Sequence, residues 1–191
     1  MFESLDEVEC DIAERLKRAA SDRRSPMHVP TIGTADADLR MMVLRAFDPA
    51  SMTCRLHTDA RSPKCALIAD GAPVGLLFFD PEKKIQIRAR GVGRVEVRGP
   101  LADAAWADAN EYARRCYLTE GGPGSVLEEP GSGLPPEIEG IRPSEDQLLP
   151  ARANFAVLVV ELRELDWLYL AHDGHRRAQF VVGGEARWIE P

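Results

Sequence analysis

The stretch Lys84-Ile-Gln-Ile-Arg-Ala-Arg90 alternates apolar and polar residues without a break, the pattern of a strand with one buried face. Gln86, Arg88 and Arg90 fall on one side, and Ile85, Ile87 and Ala89 on the other. Further extended runs occupy residues 28–33, 39–47, 53–58 and 74–79, with the alternating stretch continuing over 84–97. Four more follow at 154–162, 165–171, 178–182 and 186–189. Asp-Pro, Gly-Ala-Pro and Asp-Pro-Glu punctuate the early runs, and Gly183-Gly184 predicts a hairpin between the last two. Gly91-Val-Gly93 sits inside a strand pattern, where glycine marks a bulge or a close backbone approach. A parallel α/β sheet needs a helix after nearly every strand, and that alternation is missing. No Gly-x-Gly-x-x-Gly follows a strand either, so a Rossmann dinucleotide site is not indicated. The expected class is therefore mainly β (α+β): a closed antiparallel barrel with helical additions.

Three helices are expected. Residues 4–20 carry Leu5, Val8, Ile12 and Leu16 at helical spacing, with Ser4 and Glu7 placed to form a capping box. Residues 62–69 read as a short helix opening at Ser62-Pro63. Residues 101–118 read as one longer helix with Ala105, Ala109, Tyr112 and Cys116 along a stripe, Cys116 being expected as a small buried apolar residue. Residues 121–150 turn rich in Gly, Pro and Glu and read as a long loop or insertion. A chain of 191 residues is expected to form one domain, residues 1–191, with residues 1–26 as N-terminal helix and connector.

The net charge of −7 opposes general attraction to nucleic acid or an anionic membrane, so neither is expected as a partner. The apolar runs at 74–79 and 155–160 are far too short to span a bilayer, and the acidic N-terminus lacks the flank of a secretory signal. Cys10, Cys54, Cys65 and Cys116 show no paired spacing, which points to a reduced, cytoplasmic setting without a disulfide framework. His172 and His175 lack a third ligand nearby, so no metal site is expected. Ser51, Ser125 and Ser132 lack a nucleophile elbow. The pairs Asp11/Glu14 and Glu161/Glu164 read as solvated charges.

Two segments gather cations and hydroxyls beside apolar residues: Arg40-Met41-Met42-Val43-Leu44-Arg45 and His57-Thr58-Asp59-Ala60-Arg61-Ser62-Pro63-Lys64. Arg40 and Lys64, with Thr58 and Ser62, form a set able to hold a phosphate by charge-assisted hydrogen bonds. Read as residues alone, Arg40, Arg61 and Lys64 are equally compatible with ordinary solvated charges.

The two segments resemble the flavin-binding part of the pyridoxamine 5'-phosphate oxidase-related family, in which an R-x-x-x-L-[KR] strand and a later S-x-K loop hold flavin mononucleotide (FMN). The resemblance implies a split β-barrel that binds FMN, with Arg40, Met41, Met42, Val43, His57, Thr58, Arg61, Ser62 and Lys64 at the cofactor. Gln86 stands five residues before Gly91, as in the family's R-Q-V-x-x-x-G pattern, which implies a bond to the flavin ring; Ile85 replaces the pattern's arginine. The C-terminal stretch resembles the family's W-x-x-x-x-x-R-x-H-x-R-F hairpin. Aligned on Phe180, its two substrate-side residues fall on His175 and Arg177, and its last arginine falls on Gln179. Trp167 matches the flavin-stacking tryptophan only with two residues inserted, and otherwise reads as a core or interface aromatic. Arg45 stands at a substrate-contacting lysine. The resemblance further implies a homodimer with FMN at the interface and an FMN-dependent oxidoreductase acting on a small molecule. The alternatives are a flavin- or haem-binding module without turnover, and a cofactor-free barrel serving as an interaction domain.

Overall fold

The computed structural model describes residues 2–191. Helix α1 (Leu5–Ser21) opens on the expected capping box: Ser4 Oγ accepts from the Glu7 amide at 3.2 Å, and the Glu7 carboxylate accepts from the Ser4 amide at 3.4 Å. Five strands follow, β1 (Thr31–Gly33), β2 (Leu39–Met41), β3 (Leu44–Asp48), β4 (Thr53–Asp59) and β5 (Ala72–Asp80), with the short helix α2 (Pro63–Ile68) between β4 and β5. Strand β6 (Ile85–Glu96) leads to α3 (Pro100–Asp108) and α4 (Glu111–Arg115). After a long irregular segment come α5 (Glu145–Leu148), a 3-10 turn (Leu149–Asn154), and strands β7 (Phe155–Tyr169), β8 (Arg176–Val181) and β9 (Ala186–Ile189).

All nine strands join one antiparallel sheet, ordered β2-β1-β5-β6-β7-β4-β3, with β8 added to β7 and β9 to β8. The sheet curls until its ends meet. Met42 N donates to Pro30 O at 3.0 Å and Leu44 N donates to His28 O at 2.9 Å, so the segment running into β3 bonds the segment running into β1. This closes a barrel filled by Ile32, Leu44, Leu56, Leu76, Phe78, Ile87 and Leu158, all almost fully buried. One end is covered by α1, whose Val8, Ile12 and Leu16 are inaccessible and contribute roughly 1.5–3 kcal/mol each by burial.

Several elements differ from the sequence reading. The runs at 154–162 and 165–171 form a single 15-residue strand, β7, because β6 pairs with it along its whole length. Arg163 is the extra residue of a bulge at the point where the β7 edge changes partner from β4 to β8. The run at 39–47 divides at Met42-Val43, where the chain turns from pairing with β1 to pairing with β4. The single helix expected over 101–118 breaks into α3 and α4 because Asn110 caps the second, its side chain accepting from the Ala113 amide at 3.0 Å. Tyr112 and Cys116 consequently face outward, and Cys116 is exposed, not buried. Asp11 is not a solvated charge. It accepts from Arg15 at 2.7 Å and from Trp167 Nε1 at 3.1 Å, while Arg15 also reaches Asp80 at 3.0 Å. Trp167 is inaccessible beneath α1, edge-on to Phe2 at 4.6 Å, and is a core aromatic.

Gly91 marks the close approach expected of it: a Cβ there would lie 2.2 Å from the Glu161 carbonyl oxygen. At Gly75 a Cβ would meet nothing within 4 Å. Gly91→Ala should destabilise the fold by about 3 kcal/mol and Gly75→Ala should change it by less than about 0.5 kcal/mol. Urea denaturation of the two variants checks this pair.

Candidate functional site

Arg40 lies on β2, half-buried, with Nη1 donating to Thr34 Oγ1 at 3.2 Å and Nη2 paired with Asp38. Lys64 lies in the first turn of α2, half-buried, with Nζ donating to Ser62 Oγ at 2.8 Å. Burial pushes the Lys64 ammonium below its usual range, and the Arg40 guanidinium pushes the same way. Two cations from distant parts of the sequence are thus close enough to repel, and the partner of the second is a neutral hydroxyl. Thr58 and Ser62 are buried beside them, with Thr58 Oγ1 3.9 Å from Cys65 Sγ. The fold therefore brings together Arg40, Thr58, Ser62 and Lys64. The α2 backbone adds little to an anion site, because Pro63 has no N–H and the Cys65 amide already donates to Ser62 O at 2.8 Å.

Arg61 is placed differently from the other loop cations. Its Nε and Nη2 grip Asp59 at 3.0 and 2.7 Å, Nη1 donates to the carbonyls of Thr119 and Glu120, and Nη2 also reaches Thr119 Oγ1 at 3.0 Å. Every N–H of the guanidinium is committed within the chain. The signal for this in the sequence is the Asp59-x-Arg61 spacing, whose carboxylate is the natural partner of the cation. Asp59 and Thr119 were not anticipated as functional residues.

A second group faces the outside of the barrel wall. Strand alternation sends Thr58 inward and His57 outward, so the two do not share a face. His57 packs edge-on against Phe155 at 4.9 Å and lines a small recess with Arg45, Arg55 and Asp108. Arg45 is shared with a larger cleft of about 480 Å³, lined also by Arg23, His28, Val43, Asn110, Tyr112 and Ala113. Arg23, Arg45 and Arg55 form no salt bridge among the described residues, although the chain carries an excess of carboxylates. Burial, with Arg45 and Arg55 nearby, pushes the His57 imidazole down to about 4. Arg55 was missed in the sequence, although it precedes His57 by two residues and so shares its strand face.

The third group lies on the opposite side of the sheet from the barrel core. Gln86 is half-buried on β6, and Arg88 next to it on the same face pairs with Asp166. Arg177 Nε and Nη2 also donate to Asp166, at 3.0 and 2.8 Å, and the two guanidiniums lower the Asp166 carboxyl despite the burial that opposes them. Gln179 accepts from Arg187 on β9 at 2.7 Å. His175 is exposed in the turn before β8. Met41 projects outward, 70 % exposed, on an apolar surface with Leu39, Leu77 and Phe79, whereas Met42 packs against the core and Val43 faces the cleft. Within one chain, Gln86, His175 and Arg177 therefore do not meet Arg45 and His57.

Residues 11–97 match the family described as pyridoxamine 5'-phosphate oxidase, FMN-binding domain, a match running from α1 through β6. No curated protein sequence matches the chain. Among solved structures, a pyridoxamine 5'-phosphate oxidase-related, FMN-binding protein from Nostoc punctiforme is similar over 95% of this chain and 96% of its own, at 20% identity and TM-score 0.69. PhzG from Burkholderia lata, in complex with tetrahydrophenazine-1-carboxylic acid, is similar over 98% and 92%, at 14% identity and TM-score 0.66. The general stress FMN/FAD-binding protein of Xanthomonas citri is similar over 87% and 91%, at 14% identity and TM-score 0.53. These likenesses establish the fold as the split barrel that the resemblance implies.

A His57 held near 4 binds fewer protons in the folded state than in the unfolded chain between about 4 and 6.5. Its contribution to stability is therefore fully present above pH 6.5 and is lost as pH falls from 6.5 toward 4. NMR titration should show the His57 ring neutral at every pH above about 5, and His57→Gln should flatten the stability profile in that window.

Proposed function

We propose that this chain, whose residues 11–97 match the FMN-binding domain of pyridoxamine 5'-phosphate oxidase, is an FMN-dependent oxidoreductase of that family acting on a small anionic molecule. The carrying observation is that Lys64, half-buried, is bonded to the hydroxyl of buried Ser62 and to no carboxylate among the described residues, with the Arg40 guanidinium, itself paired with Asp38, near enough to act on it. A phosphate dianion there would give Lys64 a charge-assisted contact, and Arg40 a second in exchange for part of its pairing with Asp38. Thr58 adds a hydroxyl from the barrel end. In this reading Arg61 serves the cofactor by fixing the loop, since its donors are already engaged.

FMN, when bound, supplies the ring that accepts or donates electrons, so the protein needs no acid/base pair of its own for that step. Met41, Met42 and Val43 would hold the ring chiefly through their backbone, since their side chains face the outer surface, the core and the cleft in turn. The cleft beyond Val43 is where the substrate binds: Arg45 and Arg23, neither in a salt bridge, provide charge for a carboxylate or phosphate, and Tyr112 and His28 provide flat contact surfaces. His57 stays neutral beside Arg45 and so adds no competing charge.

Gln86, His175 and Arg177 reach a flavin site only across an interface. The outer face that carries Gln86 also exposes Leu39, Met41, Leu77 and Phe79, at 68, 70, 38 and 44%, around a groove of about 290 Å³. A contiguous apolar surface of this kind calls for a partner, and a second copy of the chain covers it while delivering Gln86 to the other site. The protein is then a homodimer with residues 1–191 of each chain as one cytoplasmic unit. A flavin-binding module without turnover is the second reading, and it is favoured by one observation: Arg177 is committed to Asp166 and His175 stands exposed in a turn.

Purified protein should show a two-band flavin spectrum or acquire one with added FMN, and anaerobic reduction by a small anionic substrate separates the enzyme from the module. Arg40→Ala or Lys64→Ala should each weaken FMN binding by about 1.5–3 kcal/mol, measured by quenching of flavin fluorescence. Unchanged affinity in both removes the phosphate site. Light scattering should find a dimer, and Phe79→Glu should shift it toward monomer with loss of bound FMN; a wild-type monomer that still binds FMN contradicts the shared site.

A further inference from the structure

The segment joining α4 to β7 leaves and re-enters the fold at one place. On the outgoing side, Arg61 Nη1 donates to Thr119 O at 2.8 Å and Glu120 O at 3.3 Å, and Arg61 Nη2 donates to Thr119 Oγ1 at 3.0 Å. On the returning side, Asn154 O accepts from the Ala60 amide at 2.7 Å, and Asn154 Nδ2 donates to Tyr117 O at 2.8 Å. Both ends are fastened to Asp59-Ala60-Arg61, the tripeptide that runs directly into Ser62 and Lys64. The fit is close: a Cβ at Gly122 would lie 2.8 Å from Arg61 Cβ. The segment is also tied by the exposed ion pairs Arg114 to Glu145 and Arg142 to Glu111, by Arg115 donating to Ile141 O at 2.7 Å and Arg152 donating to Val97 O at 3.0 Å, and by the buried side chains of Ile138 and Leu148; the Arg61 contacts are those that join its outgoing end to the turn carrying Ser62 and Lys64.

We propose that residues 116–154 are a cofactor-responsive element, whose docking is tightened through Arg61 when a phosphate monoester occupies Ser62 and Lys64. The proposal rests on the FMN reading above. Lys64 Nζ rests on a neutral hydroxyl, Ser62 Oγ, at 2.8 Å, and a bound dianion engaging both groups holds Ser62 and Lys64 in one position. The same turn carries Arg61, because the Arg61 amide donates to Asp59 Oδ1 at 2.8 Å and the Ser62 amide donates to Asp59 O at 3.1 Å. Fixing the turn therefore fixes the guanidinium, and the guanidinium holds Thr119 and Glu120. The coupling is reciprocal, so a docked segment tightens FMN binding by the same factor.

Hydrogen exchange with and without FMN, read separately over 119–125 and over α1, tests this, with flavin fluorescence reporting binding in the same samples. In the wild-type protein FMN should slow exchange over 119–125 by about 5-fold or more and leave α1 unchanged. In Arg61→Ala, FMN should bind about 5-fold more weakly and, at saturation, give no protection over 119–125. Gly122→Ala, which disturbs the contact from the segment's side and leaves residues 59–64 intact, should behave the same way and guards against misfolding of the first variant. Flavin that binds yet protects 119–125 equally in all three proteins, or in none, overturns the coupling while leaving the FMN reading in place. Flavin that binds none of them overturns both.

Discussion

Strand β7 has two edges and three partners, and the rest of the structure depends on how it shares them. One edge pairs with β6 from end to end, while the other is given to β4 over its first half and to β8 over its second. The change of partner requires the bulge at Arg163, and the bulge requires glycine at position 91, where the two backbones come closest. The β4 half closes the barrel. The β8 half projects beyond it and carries Arg177 and Gln179 on the face that holds Gln86 and Arg88. A single strand therefore separates the Lys64 end of the barrel from the outer face that carries Gln86 and Arg177.

Charge is distributed with the same division. Most guanidiniums on the outer sheet are matched to carboxylates, as Arg88 and Arg177 are to Asp166 and Arg90 is to Glu164. Among the cations without a salt bridge in the described residues, Lys64 bonds Ser62, and Arg23, Arg45 and Arg55 line the cleft and its recess. In a chain of net charge −7 this is a local arrangement against the overall field. Lys64 and His57 are both depressed, chiefly by burial, with Arg40 pushing the first the same way and Arg45 and Arg55 the second.

The barrel was legible because its strands alternate and its turns carry Pro and Gly. The Ile85, Ile87, Ala89 face is buried and the Gln86, Arg88, Arg90 face is not, as alternation requires. The capping box of Ser4 and Glu7 was legible for the same reason, being a short-range device. Long-range facts were not. The joining of two expected strands into β7 depends on β6 pairing along its length, and the break between α3 and α4 depends on Asn110 winning a cap over helix continuation. In the candidate site, the Lys64–Ser62 contact is a local one between residues two apart, but the commitment of Arg61 to Thr119 joins residues 58 apart and has no local signature. Gln86, His175 and Arg177 were grouped with the cofactor by resemblance alone, and one chain places them away from Arg45 and His57.

The central claim is that Arg40, Ser62 and Lys64 hold the phosphate of a flavin, and comparison of FMN with riboflavin isolates that phosphate from the ring. Titration of the purified protein with each, followed by flavin fluorescence, should give FMN an affinity at least about 100-fold higher, the factor expected from two charge-assisted contacts. Equal affinity for the two flavins, or binding of neither, would contradict it.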